Sequence, residues 1–178
     1  AGNPNCGKTS LFNALTGTRQ HVANYPGVTV EKRSGRCDIE GGTAEIIDLP
    51  GTYSLNAYSP EEVVAEAELL AGPDVVVFVA DSTVLERSLV LLAQIALTGA
   101  RPMLCLNMAD EAQAAGQAID LGQMERLLGF PVVETVAIYS QGKRQLLQAL
   151  QDARVPRDGL RGEMPIPALS KYGGGGPT

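Results

Sequence analysis

The run Gly2-Asn3-Pro4-Asn5-Cys6-Gly7-Lys8-Thr9 constrains this chain more than any other feature. It has the spacing G-x-x-x-x-G-K-[ST], and a helical pattern, Ser10 to Thr16, follows at once. Glycines at both ends let the backbone curl so that successive N–H groups and the start of the helix face a phosphate. At average residue usage the spacing arises in roughly one chain of this length in a few hundred. Asn3, Pro4, Asn5, Cys6, Gly7, Lys8, Thr9 and Ser10 are therefore candidate phosphate contacts, with Lys8 placed for the β and γ oxygens and Thr9 for magnesium. A glycine-rich turn capping a helix is the competing reading, and the motifs downstream weigh against it.

Asp48-Leu49-Pro50-Gly51 follows an apolar strand pattern, which puts a carboxylate at a strand's C-terminal end, where open α/β sheets bind ligands. Asp48 is a candidate to hold magnesium and the Gly51 amide to sense a γ-phosphate. Asn107-Met108-Ala109-Asp110 comes after another apolar run and has the N-x-x-D spacing that reads guanine. An Asp110 carboxylate can accept two hydrogen bonds from guanine N1 and N2, which adenine cannot donate. Met108 stands where lysine is commoner and can still cover a base with apolar surface.

Thr135-Val136-Ala137 matches a looser pattern in which a backbone N–H, here of Ala137, meets guanine O6. Gly27-Val28-Thr29 lies in a polar stretch suited to a mobile loop, so Thr29 is a candidate magnesium ligand in the GTP state alone; a strand residue between Val28 and Val30 is the other reading. His21, the only histidine, reads as exposed loop without a role.

Short β-rich runs alternate with helical patterns. Thr43–Asp48, Val75–Ala80, Met103–Asn107 and Val132–Val136 read as strands, mostly continuous and so buried on both faces. Pro60–Leu70, Val84–Leu97, Leu121–Leu128 and Lys143–Leu150 read as helices, with Ser59 and Pro60 opening the first. Ser34–Glu40 reads as an antiparallel edge strand entering Thr43–Asp48 through a Gly41-Gly42 turn. The fold expected is α/β, a mostly parallel sheet with one antiparallel edge strand and helices on both faces. A domain over 1–153 precedes an irregular proline- and glycine-rich tail over 154–178.

A net charge of -6 and a pI near 4.8 argue against broad attraction to nucleic acid or anionic lipid. Cys6, Cys37 and Cys105 are too few and too scattered for a disulfide framework or a zinc site, and read as reduced thiols. No run approaches the 18 apolar residues of a membrane span, so the chain as given reads as soluble and cytoplasmic.

With GNPNCGKTSLFNALTG, NYPGVTVEK, DLPGTYSL, SPEE and NMAD in this order, the chain resembles the ferrous iron transport protein B (FeoB) family from Gly2 to about Leu150. The resemblance implies the P-loop GTPase fold and a GTP/GDP-binding, slowly hydrolysing domain at the cytoplasmic face of the bacterial inner membrane. Its implied partners are guanine nucleotide, the transmembrane iron-transport region of the same full-length protein, and further copies in a homo-oligomer, with no nucleic acid. It also implies potassium, held by Asn5 beside the phosphates and stimulating hydrolysis, so that Asn5, Lys8, Thr29 and Gly51 form the expected catalytic set.

Two departures carry expectations of their own. Only Ala1 precedes Gly2, so the strand that should feed the loop is expected upstream; Pro165 and Pro167 unfit the tail as a substitute. The helical domain expected after Leu150 is expected to be truncated or absent. Thr52 stands where Ras-type enzymes place a water-orienting glutamine, which keeps open a nucleotide switch with negligible turnover. A soluble potassium-dependent GTPase of ribosome assembly or tRNA modification is the other alternative, disfavoured by the acidic balance.

Overall fold

Continuous apolar runs build the centre of the molecule, as their lack of alternation requires. The computed structural model of the chain describes residues 1–154. Strands β4 (Val76–Asp81), β5 (Pro102–Asn107) and β6 (Val132–Glu134) form a parallel sheet in the order β4-β5-β6. All six residues of β5 are buried. Successive side chains leave a strand on opposite faces. Phe78, Ala80, Leu104 and Leu106 accordingly pack on one face against Leu91, Leu92 and Ile95 of α3 (Glu86–Leu97) and Leu69 of α2 (Pro60–Leu70). Val79, Met103 and Cys105 pack on the other face against Leu11 and Leu15 of α1 (Lys8–Thr16) and Leu146 of α6 (Lys143–Arg154). Each large apolar side chain fully buried this way contributes about 1.5–3 kcal/mol.

The helix boundaries follow local chemistry. The Ser59 side chain accepts from the Glu62 amide while the Glu62 carboxylate accepts from the Ser59 amide, a reciprocal cap, and Pro60 fills the first turn of α2. The Asp120 carboxylate caps α5 (Leu121–Leu128) at the Gln123 amide, 2.9 Å away, and Gly129 in the left-handed region ends it. A short helix, α4 (Ala109–Ala114), also follows β5. Helix α6 is described as far as Arg154; the rest of the expected tail lies outside the described residues.

The antiparallel part is larger than the single edge strand expected. Strands β1 (Gln20–Asn24), β2 (Glu31–Ile39) and β3 (Gly42–Asp48) form a three-stranded meander in the order β1-β2-β3. His21, expected in a loop, lies within β1, and all five β1 residues are exposed.

Among the described residues β3 and β4 share no ladder. Ala1–Asn3 run alongside β4: Gly2 bridges Val79 in parallel, and the Val79 amide donates to the Ala1 carbonyl at 2.8 Å. The facing edges of β3 and β4 border a cavity of about 440 Å³, lined by Leu11, Leu15, Ile46, Val75, Val77 and Leu147 among others.

Candidate functional site

The C-terminal ends of β3, β4 and β5 converge on the loop before α1. Gly7 has φ 87°, and a Cβ there would sit 2.1 Å from Asn107 Nδ2, so only glycine lets the loop pass so close to the end of β5. Gly51 is confined from the other side, where a Cβ would lie 2.8 Å from Pro4 Cα and 3.0 Å from Lys8 Nζ. The segment after β3 therefore rests directly on the phosphate loop. Asn5 adopts φ 62°, a left-handed conformation that asparagine tolerates, and is exposed.

Lys8 opens α1 and folds back so that its ammonium donates to the Asn3 carbonyl at 3.1 Å. Thr9 Oγ1 lies 3.0 Å from Asp48 Oδ2, which joins the two candidate magnesium ligands across 39 residues. Ser10 follows in the first turn of α1. Cys6 is buried and belongs to the core, where burial raises its thiol pKa; Cys37 is raised in the same way and Cys105 is pushed up to about 11. All three are free thiols.

Asn107 ties three segments together. Its Nδ2 donates to the Cys6 carbonyl at 3.1 Å, and its Oδ1 accepts from Thr135 Oγ1 at 3.2 Å and from the Ala137 amide at 2.9 Å. The Ser82 hydroxyl donates to the Asn107 carbonyl at 2.6 Å, a support that the sequence reading missed although Asp81-Ser82 ends the β4 run. Met108 takes a left-handed conformation at the start of α4 and leans toward Gly7. Asp110 is exposed in the first turn of α4.

Four of the expected contact residues have polar groups engaged within the chain. Asn3 does not turn its side chain to the loop's concave side; it is buried at 5% exposure, with Nδ2 donating to the Arg87 carbonyl and to Ser88 Oγ, because α3 passes beneath the loop there. Thr135 is buried at 1% exposure and braces Asn107 and Cys105. The Ala137 amide is already bonded to Asn107, so a guanine O6 contact requires that bond to open or be shared, and the Val136 amide is bonded to the Gln141 carbonyl at 3.1 Å.

Thr29 is exposed in the tip between β1 and β2, and its hydroxyl bonds neither Thr9 nor Asp48. Thr52 is buried at 6% exposure, with its amide toward the Gly2 carbonyl at 3.4 Å. Glu62, also missed, accepts from Ser54 Oγ at 2.6 Å and from the Tyr58 amide at 2.9 Å, which anchors the loop after Gly51 to α2. Its sequence signal was the Ser59-x-x-Glu62 capping pattern.

A phosphate loop packed between the strand-end Asp48 and the strand-end Asn107, on a sheet covered by helices on both faces, defines a P-loop GTPase fold, a G domain. The chain belongs to the ferrous iron transport protein B (FeoB) family, whose N-terminal domain model matches residues 1–150. It is 45% identical over 151 residues to the Fe(2+) transport protein A/Fe(2+) transporter FeoB fusion protein of Porphyromonas gingivalis, covering 84% of this chain and 18% of that protein. The crystal structure of the G domain of the T. maritima FeoB iron transporter is 46% identical, with TM-score 0.82, over 87% of this chain and 96% of that one. The T. maritima FeoB cytosolic domain in its GMPPNP form is 46% identical, with TM-score 0.84, over 88% of this chain and 63% of that one. The chain spans about a fifth of the length of the curated relatives it matches. Among the described residues no helix is long and apolar enough to cross a membrane.

Proposed function

We propose that this domain binds GTP with magnesium, hydrolyses it slowly to GDP, and through that cycle gates or regulates an attached ferrous-iron transporter at the cytoplasmic face of a bacterial inner membrane. The observation that carries this reading is the 3.0 Å contact between Thr9 Oγ1 and Asp48 Oδ2 beside the Lys8 loop. A hydroxyl and a carboxylate oxygen held together are hard donors that fit a small divalent cation. Thr9 and Asp48 would hold magnesium, which would supply positive charge to offset that of the phosphates. The loop amides and Lys8 hold the phosphates, the Gly51 amide faces the γ-phosphate, and Thr29 joins Thr9 and Asp48 when GTP closes the β1–β2 tip. Asp110 and Asn107 select guanine while Met108 covers the base. The GMPPNP form of the T. maritima relative supports the nucleotide assignment.

Asn5 presents a neutral carbonyl oxygen with no hydrogen-bond partner among the described residues, on the exposed rim of the loop, which suits a weakly hydrated monovalent cation. Potassium there would set positive charge against the charge that develops during phosphoryl transfer. Asn5 is the strongest such aid available, because Thr52 is buried and cannot orient a water as a glutamine would.

Turnover in potassium against sodium at equal ionic strength, for the parent and Asn5→Ala, tests the proposal. The parent should be faster in potassium and the difference should vanish in the variant. Equal parent rates would remove the cation; no GDP formed in a single-turnover assay would leave a nucleotide switch without hydrolysis.

A further inference from the structure

We propose that Ser88 and Asn3 form a positioning pair through which α3 sets the phosphate loop for Lys8. The inference rests on the phosphate-binding reading of that loop. Asn3 and Ser88 are 85 residues apart in sequence, yet Asn3 Nδ2 lies 3.3 Å from Ser88 Oγ and 3.2 Å from the Arg87 carbonyl. Both residues are nearly sealed from solvent, at 5% and 2% exposure. Polar groups buried this deeply cost free energy unless they bond. Asn3 Nδ2 is met by Ser88 Oγ and the Arg87 carbonyl, while Asn3 Oδ1 has no hydrogen-bond partner among the described residues, so the grip on α3 rests on the Nδ2 side alone.

The bonds also fix which way the amide points. Turning it over would set Oδ1 against the Arg87 carbonyl, two acceptors face to face, so the Asn3 side chain has one orientation. The same residue receives the Lys8 ammonium on its main-chain carbonyl at 3.1 Å. Asn3 therefore grips α3 with its side chain and Lys8 with its backbone. A lysine has four rotatable bonds and loses much rotamer freedom when its charge must meet a phosphate. A carbonyl held rigidly under its ammonium keeps that charge over the loop before the phosphate arrives.

Helix α3 is a firm base for this grip, since Leu91, Leu92 and Ile95 are 1%, 3% and 0% exposed in the core. The same helix reaches the segment after Gly51: Gln94 Oε1 accepts from the Leu55 amide at 2.9 Å, and Gln94 Nε2 donates to Asn56 Oδ1 at 3.4 Å. One helix thereby references both the loop that carries Lys8 and the segment that rests on it at Gly51. Ser88 acts through Asn3 and touches no nucleotide.

The test compares ligands with and without the phosphates that Lys8 reaches. Affinities for GDP, a non-hydrolysable GTP analogue and GMP are measured by calorimetry and NMR titration for the parent chain and for Ser88→Ala, which changes shape least. GDP and the GTP analogue should weaken roughly 5- to 10-fold, the scale of one lost neutral hydrogen bond, while GMP changes less than twofold. In turnover, KM should rise with kcat little altered. Asn3→Asp, which turns a carboxylate oxygen toward the Arg87 carbonyl, should be worse in the same direction. Equal loss for GDP and GMP, or no loss for either in a folded Ser88→Ala chain, overturns the positioning role. If the parent itself fails to prefer GDP over GMP, the phosphate-loop reading fails with it, and the two failures are told apart by that control.

Discussion

Lys32 Nζ lies 2.7 Å from Glu68 Oε1 and 5.2 Å from the centre of the Tyr25 ring. Lys32 belongs to β2 and Glu68 to α2, so this ion pair fastens the β1–β2 hairpin, whose tip carries Thr29, to the helix after the Gly51 segment. Tyr25, Val30 and Val64 form a small apolar cluster beside it. The pair is partly shielded, with side chains 36% and 20% exposed, which places its contribution near 1 kcal/mol. Glu68→Gln should lower stability by about that amount and speed hydrogen exchange at Tyr25 and Val28, whose amides close the tip onto the Val30 and Tyr25 carbonyls. Unchanged exchange at these amides would mean that the apolar cluster alone holds the tip.

Guanine selectivity depends on Asp110, which stands exposed in the first turn of α4 and leaves its carboxylate open to a base. Asp110→Asn should weaken GTP by about 10³-fold or more and improve binding of XTP, whose ring carries the complementary carbonyl. Calorimetry with GTP, ATP and XTP measures this. Equal binding of ATP and GTP by the parent chain would sink the guanine assignment.

The loop from Gly51 to Ser59 should loosen in acid. Bonds from Ser54 Oγ first, then from the Tyr58 and Ser59 amides, hold the Glu62 carboxyl below its ordinary range. A folded-state pKa below the unfolded value means that the ordering is complete above pH about 4.3 and fades as pH falls through the lowered value. Limited proteolysis between Tyr53 and Ser59, followed from pH 6 to pH 3, should accelerate only at the acid end. Glu62→Gln should cleave at one rate across that range; a parent that does so too would exclude Glu62 as the anchor.

Much of this architecture is legible before folding. The spans Pro60–Leu70 and Leu121–Leu128 form as the apolar spacing and caps dictate, since Ser59 with Glu62 and Asp120 act within one turn. The parallel strands follow from continuous apolar runs. Strand β1 was not legible, because Gln20–Asn24 has no buried face and exists by pairing with Glu31–Gly35. The sequence likewise marks Asn3 and Ala137 as loop residues without saying where their polar groups point. Those directions depend on Ser88 and Asn107, one 85 residues from Asn3 and the other 30 residues from Ala137 at the end of β5.

The sequence by itself determined the phosphate-loop spacing, the strand-end positions of Asp48 and Asn107, and the alternation that selects a helix-covered parallel sheet. These are local patterns, and each is satisfied by backbone geometry and side-chain burial within a few residues. Only the tertiary structure decided that Thr9 meets Asp48, that Asn107 joins the Cys6, Thr135 and Ala137 segments, and that α3 underlies the loop through Asn3. A hydrogen bond requires two groups within about 3 Å, and which distant groups come that close is set by how the helices pack on the two faces of the sheet.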